Sequence, residues 1–273
     1  MKQKILIKGA GDLATGIAWR LKRAGFDILM TEIDKPLTVR LTVAYSNAVY
    51  KQNVVIEGIK GSLVHDYQEA KDVIEKGDIA VIVDAQAKII DEFKPDIVID
   101  AIMAKRNINT TIDDAPIVIA IGPGFCAGID CDYVIETKRG HFLGKVIESG
   151  YAIKNTGIPG NIGGYTIERI IRANKDGIFK PVAKIGDYVQ VDEVVAYVDD
   201  EPILALIDGI VRGMLYEGIE VTEGMKCGDI DPRAAKEHCF TISDKSRAIG
   251  GGALEAVMYG LNKLESGANH DCN

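Results

Sequence analysis

No apolar run in this chain approaches the length of a membrane span, about 20 residues, so a membrane-spanning protein is not expected. A signal peptide is not expected either. Met1-Lys2-Gln3-Lys4 leads straight into a strand-like run, and the expected location is cytoplasmic. Positive charge is in deficit, with 32 Lys and Arg against 40 Asp and Glu for a formal net charge of -8. That balance argues against nucleic acid as a general partner while leaving room for a local basic pocket. Paired-cysteine metal motifs are lacking. The five cysteines (Cys126, Cys131, Cys227, Cys239 and Cys272) form an odd set that reads as free thiols. The Cys126 to Cys131 spacing is too loose for a zinc knuckle and has no second pair, so no metal site is expected. What remains is ordinary: 47% apolar and 26% charged residues over 273 positions, enough for two domains and a substantial core.

The most informative stretch is Lys4-Ile5-Leu6-Ile7-Lys8-Gly9-Ala10-Gly11-Asp12-Leu13-Ala14-Thr15-Gly16. A short apolar strand enters a glycine turn, and the turn opens a helix. Strand, Gly-x-Gly and helix in that order read as the phosphate end of a Rossmann-like unit. Gly9 would permit the turn, Gly11 would admit a pyrophosphate, and Ala14 would be the small residue where helix meets strand. Asp12 and Leu13 fall at the helix start, where amide groups and the helix dipole face an anion. A second strand over 26–32 ends in Glu32, about 20 residues on, where a carboxylate can take ribose hydroxyls. A solvated strand-end acid beside Asp34 and Lys35 is the competing reading.

Alternating apolar strands and helices continue to about residue 122. Strands are expected over 53–57, 79–84, 96–100 and 116–121, with helices over 63–76 and around 89–93. This pattern implies a parallel sheet covered on both faces. The expected first domain is therefore a Rossmann-like nucleotide-binding unit over 1–122. A glycine-rich connecting region follows over 123–174, with strands over 131–137 and 141–152 and a helix over 165–173. Within 175–232, Asp176-Gly177-Ile178 recurs as Asp208-Gly209-Ile210, and Gly186 and Val189 recur as Gly218 and Val221. This repeat resembles the biotinyl/lipoyl-like barrel-sandwich hybrid. The connection Asp199-Asp200-Glu201-Pro202 holds no lysine, so neither biotin nor lipoate is expected. The last segment, 233–273, reads as Gly250-Gly251-Gly252 leading into a helix over 253–264, then a polar tail from Ser266.

Three basic clusters are candidate ligand contacts. Arg139 in Glu136-Thr137-Lys138-Arg139-Gly140-His141 offers two donors to an oxyanion, and His141 offers a proton. A charged hairpin with a packed His is the plainer reading. Lys105 and Arg106 follow the Asp100 strand end and are placed to neutralise an anion, or to sit on a solvated helix start. Arg40 follows Glu32 closely enough to meet a ribose phosphate, or to pair on the surface with Glu32 or Asp34. Cys126, in a glycine-rich loop, is a candidate thiolate or sulfur carrier beside His141 as the catalytic candidates; a small buried residue is the alternative.

Several motifs in order resemble the YqeB-like family of selenium-dependent molybdenum hydroxylase system proteins. They are Gly9-Ala10-Gly11-Asp12-Leu13-Ala14, Val39-Arg40 with Ala48-Val49-Tyr50, Asp100-Ala101 with Ala104-Lys105, and Gly124-Phe125 with Ala127-Gly128. Glu136-Thr137 with Arg139-Gly140-His141, and Thr156-Gly157 with Pro159-Gly160, complete the series. The resemblance implies an accessory or maturation role for a molybdenum hydroxylase client, with a nucleotide or molybdenum-cofactor dinucleotide as ligand. An NAD(P)-dependent oxidoreductase is the alternative, and a non-catalytic interaction protein on a degenerate Rossmann fold is the third. A homo-oligomer is left open.

Overall fold

The computed structural model describes residues 2–155, 157 and 160–268. Ile, Val and Ala crowd the short runs that become strands in the first half. These are β1 (Lys4–Lys8), β2 (Asp27–Glu32), β3 (Asn53–Ile56), β4 (Ile59–Val64), β5 (Ile79–Val83) and β6 (Ile97–Asp100). Further along come β7 (Ile117–Ile121), β8 (Cys126–Ala127), β9 (Tyr133–Ile135), β10 (Val146–Ile147) and β11 (Gly150–Tyr151). Nine of them make one sheet in the order β10-β9-β7-β6-β1-β2-β5-β4-β3. The seven strands from β9 to β4 in that order pair in parallel, and β10 and β3 close the edges antiparallel. β8 and β11 pair separately.

Alternate residues of each strand feed opposite faces. Ile5 and Ile7 face α1 (Asp12–Arg23), packing with Ile17 and Leu21. Leu6 and Leu29 face the other way and pack with Ala70, Ile74 and Phe93. After a single helical turn, α2 (Ala48–Lys51), that second layer is built by α3 (Tyr67–Glu75) and α4 (Ile90–Phe93). Asp66 caps α3 by accepting the Glu69 N–H at 2.8 Å, while Glu69 accepts the His65 N–H at 2.8 Å. That reciprocal cap starts α3 late, so part of the helix expected over 63–76 is the end of β4.

The second half contains β12 (Ile170–Arg172), β13 (Gly177–Pro181), β14 (Tyr188–Val189), β15 (Val194–Val198), β16 (Glu201–Leu204), β17 (Gly209–Met214), β18 (Glu220–Val221) and β19 (Lys226–Asp231). They form two four-stranded sheets, β12-β19-β17-β14 and β16-β15-β13-β18, around Phe179, Val195, Val198, Val211 and Cys227. The 32-residue repeat relates β13–β15 to β17–β19. Gly177 and Gly209, at its equivalent starts, share φ values of 154° and 158°. The helix expected over 165–173 is a short turn running into β12.

The expected Rossmann-like parallel sheet domain followed by a biotinyl/lipoyl-like barrel-sandwich hybrid is corrected on both counts. The first sheet is mixed, because the hairpin β3–β4 and the β9–β10 return each add an antiparallel edge. The second half is a pair of antiparallel sheets that is not self-contained. The Met214 N–H donates to the Val39 carbonyl at 2.7 Å, and Arg40 bridges to Met214 in parallel. The chain also crosses back at its end: α5 (Asp244–Ala268) lies on α1.

Glycine explains that contact. The three glycines expected to precede the last helix lie inside α5. A Cβ on Gly250 would sit 2.7 Å from the Gly16 carbonyl oxygen, and one on Gly16 would collide with the Ser246 side chain. Glycine within a helix costs roughly 1 kcal/mol against alanine. Here the close approach requires it, and Ile249, Ala253, Ala256 and Val257 are buried in return.

Candidate functional site

The strand ends β1, β2 and β6 converge on the glycine turn. Gly9 has φ 90°, and a Cβ there would press within 3.0 Å of the Ala101 carbonyl oxygen. Gly11 caps α1 in an extended conformation, with the Thr38 hydroxyl 3.3 Å from where a Cβ would be. Glu32 turns inward and accepts the Ala10 N–H at 3.0 Å and the Ile33 N–H at 2.9 Å. Burial raises its pKa against those two hydrogen bonds. Its carboxylate thus braces the turn itself. Ala14 is buried where α1 meets the sheet.

Beneath the same edge, buried Lys8 donates to Asn109 O and Thr110 Oγ1 at 2.9 Å each and to Asp114 Oδ2 at 2.7 Å. Thr110 in turn donates to Asp100 Oδ2 at 2.7 Å. These bonds pin the 101–114 loop from below. Above them Met103 and Lys105 take left-handed φ values of 64° and 62°. Such backbone is strained for bulky side chains and persists only where the surroundings over-determine it.

Lys105 enters a cleft of about 590 Å³ between the first sheet's edge and the second half. Ten cations line it: Arg40, Lys105, Lys138, Arg139, Lys154, Arg169, Arg172, Arg212, Lys226 and Lys245. The one acid among the lining residues is Asp12. Arg40 lies 4.0 Å from Asp12 and donates to the His238 carbonyl at 2.7 Å. Arg169 Nη2 donates to Asp229 Oδ1 at 2.8 Å, and Arg212 Nε donates to Asp229 Oδ2 at 2.8 Å. Arg139 is paired with Asp244, its Nη2 2.9 Å from Oδ1. The other six, Lys105, Lys138, Lys154, Arg172, Lys226 and Lys245, have no carboxylate within 4.0 Å among the described residues.

Crowded cations disfavour their own charge. Burial lowers the pKa of Lys226, opposed by Asp229 and Asp12, and it lowers that of Lys245, opposed by Asp12. Burial likewise lowers Arg40 and Arg169. The cleft is therefore a region of positive potential that an anion would relieve.

Of the residues singled out from sequence, Asp12, Leu13, Arg40, Lys105 and Arg139 line this cleft, whereas Gly9, Gly11, Ala14, Glu32, Cys126 and His141 do not. Cys126 is buried in β8, with its N–H donated to Asp130 Oδ2 at 2.7 Å. His141 is exposed and stacks edge-on against Phe142. Thr156 and Pro159, of the last resemblance motif, and Cys272 lie outside the described residues. Sequence reasoning passed over Lys154, Arg169, Arg172, Arg212, Lys226 and Lys245. A signal was present in Ile170-Ile171-Arg172 and Ile210-Val211-Arg212, where a guanidinium interrupts an apolar strand. No described helix is long and apolar enough to cross a membrane.

No family model matches the chain. The chain is 49% identical over 256 residues, 94% of its length, to "Uncharacterized protein YqeB" of Escherichia coli (strain K12). That similarity runs over nearly the whole of this chain. The chain spans about half that relative, 47% of it. Among solved structures, it aligns with a succinylglutamate desuccinylase/aspartoacylase of Rhodobacter sphaeroides at 14% identity and TM-score 0.27, covering 84% of this chain and 85% of that one. An aspartoacylase family protein of Mesorhizobium loti aligns at 11% identity and TM-score 0.26, covering 84% and 85%. TM-scores this low carry no activity to this chain. The names nonetheless differ from those expected, being neither a molybdenum hydroxylase maturation factor nor an NAD(P)-dependent oxidoreductase. Those two expectations are corrected, as is the Rossmann fold of the third. The inward turn of Glu32 removes the acid on which the ribose reading stood.

Proposed function

We propose that this protein binds a small polyanion, of the class of nucleotides and other phosphorylated metabolites, in the basic cleft. The observation that carries the reading is the gathering of ten cations around one cleft in a chain of net charge -8. A volume of about 590 Å³ falls within the usual range for small-molecule sites. The arginines offer planar forks to phosphoryl oxygens, while the lysines supply point charge that tolerates varied geometry. Asp12, at the start of α1 and 4.0 Å from Arg40, offsets only part of this positive charge.

Titration calorimetry of the full chain with pyrophosphate, ATP and NAD at low and high salt tests the reading. Binding that weakens steeply with salt is the expected result, since Coulomb attraction in a partly open cleft is screened. Lys154→Glu and Lys105→Glu, each reversing an unpaired charge, should weaken binding together with its salt dependence. Absence of binding to all three ligands at low salt would overturn it.

A further inference from the structure

The two most buried cations of the cleft come from distant parts of the chain and share an unusual state. Arg40 is 6% exposed and Arg169 is 4% exposed, and both line the cleft. The Nε of each is buried with no acceptor among the described residues. Their charges are also under-compensated. Asp229 serves both Arg169 and Arg212. Asp231, which also faces Arg212 at 3.6 Å, is engaged by Arg233 at 2.6 Å. Among the described residues Arg40 has only Asp12, at 4.0 Å; its Nη2 goes to the neutral carbonyls of His238 and Thr241.

Buried guanidinium groups short of countercharge, each with an orphaned N–H, are costly to fold. Such groups call for a specific explanation, and binding of an anion would supply one. Lys105, Lys138 and Lys154, exposed at the rim, do not share this state, because water can solvate them. The demand at the two arginines is for concentrated negative charge and several acceptor oxygens on one small group. A terminal phosphoryl group meets it, carrying close to two charges and three acceptor oxygens at neutral pH. A diester phosphate carries one charge and presents two free oxygens.

Building on the polyanion reading, we propose that Arg40 and Arg169 form a receptor for the dianionic end of a phosphate monoester. The ligand enters phosphoryl group first, and the rim cations hold whatever further negative charge it carries. Selectivity for monoester over diester is then a property of the two arginines, while overall affinity for anions belongs to the rim.

Methyl phosphate and dimethyl phosphate, titrated into the full chain by calorimetry, separate these roles. Methyl phosphate should bind at least tenfold more tightly, and its binding should strengthen as pH rises through its second ionisation, near about 6. Arg40→Gln and Arg169→Gln should each weaken methyl phosphate about tenfold or more, the usual scale for a charge-assisted hydrogen bond, and erase the preference over the diester. Lys154→Gln should weaken both esters alike. Circular dichroism shows whether the glutamine variants fold. If they do not, the comparison of the two esters on the unaltered chain still decides. Equal affinity for the two esters, or folded glutamine variants that keep the preference, would overturn the receptor and leave the polyanion reading standing. Binding of neither ester nor pyrophosphate would overturn both.

Discussion

The two halves of this molecule are held together by different physics. In the first, the nine-stranded sheet buries Ile5, Leu6, Ile7, Ile28, Leu29, Val98 and Ile119 completely, and helices cover its two faces. In the second, the sheets close over a smaller aliphatic core, and their flank at the cleft buries Arg169, Asp229 and Asp231. Aliphatic packing is non-directional and stabilises roughly in proportion to area. A buried ionic network is directional and stabilises only when complete, so it serves better to fix the positions of charges than to add stability. The first half thus acts as the frame, and the second holds guanidinium groups at the frame's edge.

Removing single groups should break the two halves in different ways. Asp229→Ala leaves Arg169 and Arg212 facing each other without their shared carboxylate. It should cost about 3–5 kcal/mol, the usual penalty for an uncompensated buried charge, measured by urea denaturation. Gly250→Val drives a side chain toward the Gly16 carbonyl oxygen, 2.7 Å from the added Cβ. It should cost about 1–3 kcal/mol by overpacking and lower Tm. A cost for Asp229→Ala smaller than that for Gly250→Val would contradict the division of roles.

Acid should weaken the second half first. Burial raises the Asp231 pKa, but the hydrogen bonds from Arg233 and the charges of Arg212 and Arg233 outweigh it and hold the carboxyl at about 2, below its ordinary 3.8. A carboxylate depressed in the folded state contributes stability fully above its unfolded pKa and loses it as pH falls through the folded one. Urea midpoints should therefore drop between about pH 4 and pH 2, and less so in Asp231→Asn. The smallest effect is expected at the Arg139–Asp244 pair, whose side chains are 45% and 68% exposed. Arg139→Ala should change stability by under about 1 kcal/mol, yet weaken anion binding measurably by calorimetry.

Much of the first half was legible from local signals. Apolar runs of strand length and the glycine that follows α1 each act over a few residues, so period and spacing report them, whereas the Asp66 cap that starts α3 late was passed over. The antiparallel edges were not legible, because pairing direction depends on which strand a hairpin meets. Arg40, Lys105 and Arg139 stood out as cations beside turns. Arg169 did not, since it precedes the three-residue β12, whose partner β19 lies more than 50 residues away, and Lys226 did not, since it enters the cleft only where β19 meets β12.

The sequence by itself determined the frame: which segments extend, which coil, and that the second half repeats at an offset of 32 residues, as Gly177 and Gly209 show. It also determined that the chain as a whole is acidic. Only the tertiary structure decided that ten of its cations would face one another across a single cleft. Like charges gather against their mutual repulsion only when packing elsewhere holds them there. In this protein the glycine contact of α1 with α5 and the Val39–Met214 hydrogen bond draw those distant segments together.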